Sequence, residues 1–175
     1  MNIAIYCASN QPNNIKFNEL TNELGTYLSS KNHNLVYGGS KTGLMGVIAD
    51  AFISNNGKVI GVIPDVDLIK SRIHPKLTEC IFTKDMPERR TKMIDLSDMF
   101  IALPGGPGTL DELSEILDLI RLKIINKPLL IYNMDGYYDD LETHINKYYQ
   151  YGFIKENELS YLHFVNNLED IKKYV

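Results

Sequence analysis

The sequence predicts an α/β fold, one Rossmann-like domain over residues 1–175 built as a doubly wound parallel sheet with helices on both faces. Three observations carry this. Apolar runs of strand length alternate with stretches of helical periodicity. The runs are apolar throughout, as strands covered on both faces require. Loops of small and polar residues follow several of them, where such sheets place their ligand sites.

The first unit is a strand from Ile3 to Ala8, a turn-rich loop Ser9-Asn10-Gln11-Pro12-Asn13-Asn14, and a helical pattern from about Ile15 to Lys31. Leu35-Val36-Tyr37 runs into Gly38-Gly39-Ser40 and a helix from Leu44 to Ser54, and Val59 to Ile63 forms the next strand, closed by Pro64. Further strands are expected at Cys80 to Thr83, Met99 to Leu103 and Leu129 to Tyr132, with helices at Pro87 to Leu96, Leu110 to Ile125 and Tyr138 to Tyr151. In the second of these helices the spacing of Leu113, Leu117, Ile120 and Ile124 predicts a core stripe, while Ile116, Leu119 and Leu122 fall elsewhere on its circumference. Residues 156–175 read as a short closing segment without a chemical signature.

Composition narrows the function. With 44% hydrophobic and 23% charged residues the chain is neither disordered nor membrane-embedded. No apolar stretch approaches the roughly 18 residues of a membrane span. The start, Met1-Asn2-Ile3-Ala4, lacks a secretory pattern, so a cytoplasmic protein is expected. The net charge of -4, with no basic stripe, argues against a nucleic-acid partner. Cys7 and Cys80 are too far apart for zinc-site spacing and are expected as buried thiols. His33, His74, His144 and His163 stand singly, so no metal and no cofactor are implied.

Three loops stand out: Ala8-Ser9-Asn10, Gly38 to Gly43, and Pro104-Gly105-Gly106-Pro107-Gly108-Thr109. The third joins a strand to a strongly periodic helix, where bare glycine backbone and unpaired helix N–H groups suit a phosphate, and Thr109 can add a hydroxyl or cap the helix. Neither familiar nucleotide motif fits. Before Lys41-Thr42 a P-loop would need Gly where Ser40 and Leu35 stand, and the dinucleotide pattern from Gly106 needs Gly where Asp111 stands.

Asp111 and Glu112 are placed by this reading in the first turn of the helix, where acids complement the dipole. A carboxylate so close to a phosphate site needs a reaction to serve or a cation to meet. Arg89 and Arg90 are the candidates for that cation.

Met86-Pro87-Glu88-Arg89-Arg90, Ser97-Asp98 and Pro104 to Glu112, taken with Tyr6-Cys7-Ala8-Ser9, Tyr37-Gly38-Gly39, Gly43-Leu44-Met45-Gly46, Asn133 to Tyr138 and Gly152-Phe153-Ile154, resemble the Lonely Guy family of cytokinin-activating phosphoribohydrolases. The resemblance spans nearly the whole chain and makes Arg89 and Glu112 the catalytic pair. Substrate contacts are then expected at Ser9, Gly39, Ser40, Met86, Arg90, Gly105, Gly106, Gly108 and Thr109. The chain departs from the family pattern at Pro87, where His is usual, at Arg90, where Lys is usual, and at Ala8 and Ser40, where Gly is common.

The resemblance implies hydrolysis of the N-glycosidic bond of a purine or N6-modified adenine nucleoside 5'-monophosphate, a small-molecule substrate, by a homodimer with sites near its interface. Glu112 suits the stabilisation of a cationic sugar and the orientation of water. Arg89 stays protonated and can position Glu112, hold ribose or phosphate oxygens, or offset charge on the leaving base. Two rivals remain: a nucleotide sensor that does not cleave, and a pyridoxal-phosphate lysine decarboxylase, for which Lys41 and Lys92 are the nearby lysines.

Overall fold

In a computed structural model that describes residues 1–155 and 157–175, the strands form one parallel sheet. In chain order the elements are β1 (Asn2–Tyr6), α1 (Ile15–Ser30), β2 (Asn34–Tyr37), α2 (Gly43–Ser54), β3 (Val59–Pro64), α3 (Asp67–Lys70), β4 (Glu79–Thr83), α4 (Met86–Leu96), β5 (Met99–Ala102), α5 (Pro107–Arg121), β6 (Leu129–Tyr132), α6 (Asp139–Gln150), β7 (Leu162–Val165) and α7 (Leu168–Ile171). The sheet order is β4-β3-β2-β1-β5-β6-β7, with every neighbouring pair parallel. This is the expected Rossmann-like sheet.

The pleat divides the core in two. Ile3, Ile5, Leu35, Tyr37, Met99 and Ile101 face Leu24 and Leu28 of α1, Ile48 and Phe52 of α2, and Ile171 of α7. Ala4, Tyr6, Val36, Phe100 and Ala102 face Met93 of α4, Leu113, Ile116 and Ile120 of α5, and Ile145 of α6. Alternate residues of each strand thus serve opposite layers, which is why the runs carry no polar alternation.

Several expectations are corrected. Helix α5 starts at Pro107, three residues before the expected Leu110, and stops at Arg121, where Lys123 turns left-handed with φ 59°. Its core stripe is Leu113, Ile116 and Ile120; Leu117 and Leu119 are half-buried, and Ile124 lies past the helix, exposed. Cys80 is exposed because β4 is an edge strand that leaves Glu79, Cys80 and Phe82 uncovered. The closing segment supplies β7 and α7, the last strand and its cover; its first residue, 156, lies outside the described residues.

Candidate active site

The strand order reverses at β1, whose neighbours β2 and β5 carry the chain in opposite directions. Loops that leave such a point diverge and open a crevice at the carboxyl ends of the strands. The backbone N–H of Ala8, after β1, donates to the Pro104 carbonyl, after β5, at 3.1 Å, so the two loops leave the sheet side by side. A cavity of about 500 Å³ opens there, lined by Ser9, Ser40, Arg89 and Glu112, by residues 105–109, and by an apolar part that includes Phe17, Met45, Leu68 and Ile69.

The glycines of the third loop have different causes. A Cβ on Gly105 would overlap the Thr109 hydroxyl, so that glycine is required by packing. At Gly106 and Gly108 an added Cβ would meet no atom of the described residues within 4 Å. Both residues line the cavity with bare backbone. Pro107 opens α5 with no N–H to leave unpaired, and the helix N-terminus beside Gly108 and Thr109 presents free amides and the positive end of the dipole. The Tyr137 hydroxyl donates to the Gly105 carbonyl at 2.6 Å and the Tyr138 hydroxyl to the Leu103 carbonyl at 2.7 Å, which fixes the loop from behind.

Arg89 reaches the cavity because α4 begins sharply. Asp85 caps it by accepting from the Glu88 amide at 2.9 Å, the Glu88 carboxylate accepts from the Lys84 amide at 2.8 Å, and Pro87 occupies the first turn. Arg89, one turn in, points inward, and its Nη2 donates to Glu112 Oε1 at 2.8 Å, with the two side chains 7% and 5% exposed. Gly38 makes room for it: a Cβ there would stand 2.5 Å from Arg89 Nη2. Arg89 Nε is buried and has no partner among the described residues.

Arg90, about 100° further round the helix, turns the other way. Its Nε donates to Glu115 at 2.6 Å and its Nη1 to Asp111 at 3.0 Å, which ties α4 to α5. Each candidate cation therefore meets one of the two candidate acids. Glu112 lies in the second turn of α5, not the first, so the helix dipole does not account for it.

Burial pushes the Glu112 carboxyl above its ordinary value, while the Arg89 guanidinium pulls it back. Burial, reinforced by Glu112, pushes the Cys7 thiol up, so this cavity-lining sulfur is a thiol at neutral pH and a poor nucleophile.

Among the expected contact residues, Ser9, Ser40, Gly105, Gly106, Gly108 and Thr109 line the cavity with Arg89 and Glu112. Gly39, Met86 and Arg90 do not. Gly39 adopts φ +79° and packs on Ile63, Met86 touches Arg89 Nη1 through its sulfur at 3.8 Å, and Arg90 is held by its carboxylates. Ser40 is partly engaged, its hydroxyl accepting from the Thr42 amide at 3.2 Å. Thr109 is not the helix cap; Gly106 holds that position. Tyr137, Phe17 and Arg72 also line the cavity, and of these only Tyr137 stands in a motif of the family resemblance.

A protein-family model described as "possible lysine decarboxylase" matches residues 45–175. Cytokinin riboside 5'-monophosphate phosphoribohydrolase LOG1 of Arabidopsis thaliana is 41% identical over 152 residues, 87% of this chain and 71% of that protein. The chain belongs to the Lonely Guy family. A second Lonely Guy relative, the probable cytokinin riboside 5'-monophosphate phosphoribohydrolase LOGL1 of Oryza sativa subsp. japonica, is 40% identical over 87% of this chain and 69% of its own. Among solved structures, the molybdenum cofactor binding protein of Rippkaea orientalis superposes with a TM-score of 0.74 at 18% identity, covering 99% of this chain and 93% of that one. The Moco carrier protein of Chlamydomonas reinhardtii gives 0.71 at 19% identity, over 98% and 95%. At these identities the likeness is one of fold, and it sets this Lonely Guy chain on a scaffold shared with cofactor carriers.

Proposed function

We propose that the protein hydrolyses the N-glycosidic bond of a purine nucleoside 5'-monophosphate, with N6-modified adenine as the preferred base, releasing free base and ribose 5-phosphate. The observation that carries this reading is the buried Arg89–Glu112 pair in one cavity with a bare glycine loop at a helix N-terminus. The loop holds the 5'-phosphate through the amides around Gly106, Gly108 and Thr109, and that remote binding fixes the ribose. Glu112, as carboxylate, stabilises the positive charge that builds on the sugar as the bond to the base breaks, and it takes a proton from the attacking water. Arg89 holds Glu112 in place and favours its ionised form. The names of the relatives support the reaction class.

Pyridoxal-phosphate chemistry fits poorly. It needs a lysine amine at the cofactor aldehyde, and among the described residues no lysine lines this cavity. Lys41 lines only the neighbouring cavity, and Lys92 lies exposed on α4.

The reading extends to a cytoplasmic homodimer of one nucleotide-binding domain per chain. The exposed side chains of Leu110 on α5 and of Leu122 and Ile124 just past its end support a second burial surface at this helix, and sedimentation equilibrium checks it. Incubation with AMP and with N6-isopentenyl-AMP, followed by chromatography of the free base, tests the reaction. Base and ribose 5-phosphate in equal amounts are expected. Neither substrate yielding base would overturn the proposal.

A further inference from the structure

The main cavity continues into a second, of about 560 Å³, and the two share Ser9, Asn10, Gln11 and Arg72. Arg72 follows α3, and its main chain is pinned. Its carbonyl accepts from the Lys41 amide at 2.8 Å, Ile73 pairs with Ser40 in an antiparallel bridge, and the His74 amide donates to the Gly39 carbonyl at 2.8 Å. These bonds hold the residue against the loop after β2, at the junction of the cavities.

Its side chain is unlike those of the other arginines. Arg89 meets Glu112, Arg90 meets Asp111 and Glu115, and Arg121 meets Asp118. Arg72 is half-buried as a residue, and its guanidinium has no hydrogen bond or ion pair among the described residues. A guanidinium carries five donors in a planar fork and no acceptor, so partial burial without an anion leaves most of its capacity unused. The carboxylate of the second cavity, Asp50, is held by His74 Nε2 at 3.1 Å, and Lys41 adds another positive charge to the lining.

We propose that Arg72 binds a second anionic group of the substrate, remote from the 5'-phosphate, so that the preferred substrate is a nucleoside 5'-monophosphate bearing a further phosphate or carboxylate on its ribose or its base. The inference rests on the nucleotide reading of the main cavity. A nucleotide held by its phosphate at the glycine loop presents its ribose and base to the rest of that lining, where Arg72 is the cation left without a counter-charge. Planar, forked recognition of such a group is what a guanidinium supplies.

Calorimetric titration of Glu112→Gln protein, in which turnover is blocked, with AMP, adenosine 3',5'-bisphosphate and N6-carboxymethyl-AMP tests this. At least one of the latter two is expected to bind about tenfold or more tightly than AMP. Adding Arg72→Gln should bring that ratio close to one, and Arg72→Lys should restore part of it. The ligand that gains tells whether the anion sits on ribose or base. The proposal is overturned if neither ligand outbinds AMP, or if the advantage survives Arg72→Gln. If AMP itself does not bind, the nucleotide reading fails and the proposal with it; tight AMP binding without any advantage sinks the proposal alone.

Discussion

Arg89 Nη2 donates to Glu112 Oε1 across 2.8 Å, and both side chains are almost wholly withdrawn from solvent. Two charges so buried are held at a desolvation cost that a surface pair does not meet, and replacing such a pair by apolar residues is often neutral or stabilising. A folding role alone explains the pair poorly. Lining a cavity beside a glycine loop explains it better, because an ionised carboxylate is then available where a sugar would sit.

Removing one member should be costly and pH-dependent. Arg89→Met leaves Glu112 buried without its cation, a change that costs roughly 3–5 kcal/mol for a buried pair before the carboxyl protonates. Arg89 is what holds the raised Glu112 pKa down, so its loss moves that pKa further up. A carboxyl whose folded pKa is raised favours folding when protonated, and this contribution disappears as pH rises through the folded pKa. Urea denaturation should therefore find Arg89→Met more destabilised relative to wild type at pH 8 than at pH 5.

The same shift sets the acid limb of activity. Glu112 must be ionised to act, and burial raises its pKa. The fall of kcat/KM on acidification should have its midpoint above the value of about 4.3 of an ordinary glutamate. A pH–rate profile from pH 4 to 8 measures it, and a midpoint at or below the ordinary value contradicts this environment for Glu112.

Gly38 is predicted to act through Arg89. The Cβ of Gly38→Ala would stand 2.5 Å from Nη2, the atom that bonds Glu112, so the guanidinium must shift to admit it. A loss of about 1–3 kcal/mol in stability is expected from the overpacking. The readout specific to Arg89 is a fall in kcat with an acid limb displaced to higher pH, which thermal unfolding and the pH–rate profile check together.

Gly108 should behave in the opposite way. Its Cβ would meet none of the described residues, and the residue sits in the first turn of a helix, so Gly108→Ala should stabilise the fold by at most about 0.5–1 kcal/mol. Gly108 lines the cavity, so a methyl group added there should lower nucleotide affinity. A raised Tm with a raised KM is the expected pair of results.

Much of the fold was legible because β1, β2, β3, β5 and β6 are short apolar runs buried on both faces, each followed or preceded by a periodic helix. What escaped was short or half-exposed. Strand β7, Leu162-His163-Phe164-Val165, lies at the sheet edge with one fully buried residue, and α3 and α7 have four residues each, too few to show a period. The stripe of α5 was misassigned because Leu113-Leu117-Ile120-Ile124 and Leu113-Ile116-Ile120 both fit a 3.6-residue repeat, and only packing on the sheet selects the second. Within the site, the motif put both arginines forward, but the separation of Arg89 from Arg90 depends on which face of α4 meets the cavity. Arg72 carried no signal, since a bridge between Ser40 and Ile73 brings it to the site.

In the proposed reaction the Glu112 carboxylate performs the cleavage, in a nucleotide site built by its neighbours. Glu112→Gln keeps the shape and an oxygen for Arg89 and removes the charge. The decisive measurement is a side-by-side determination of AMP affinity and of base release for this variant and the wild-type protein. Affinity within a few-fold of wild type with hydrolysis reduced by about 10²–10⁴ is predicted. Base release at the wild-type rate would show that the Glu112 carboxylate does not perform the cleavage.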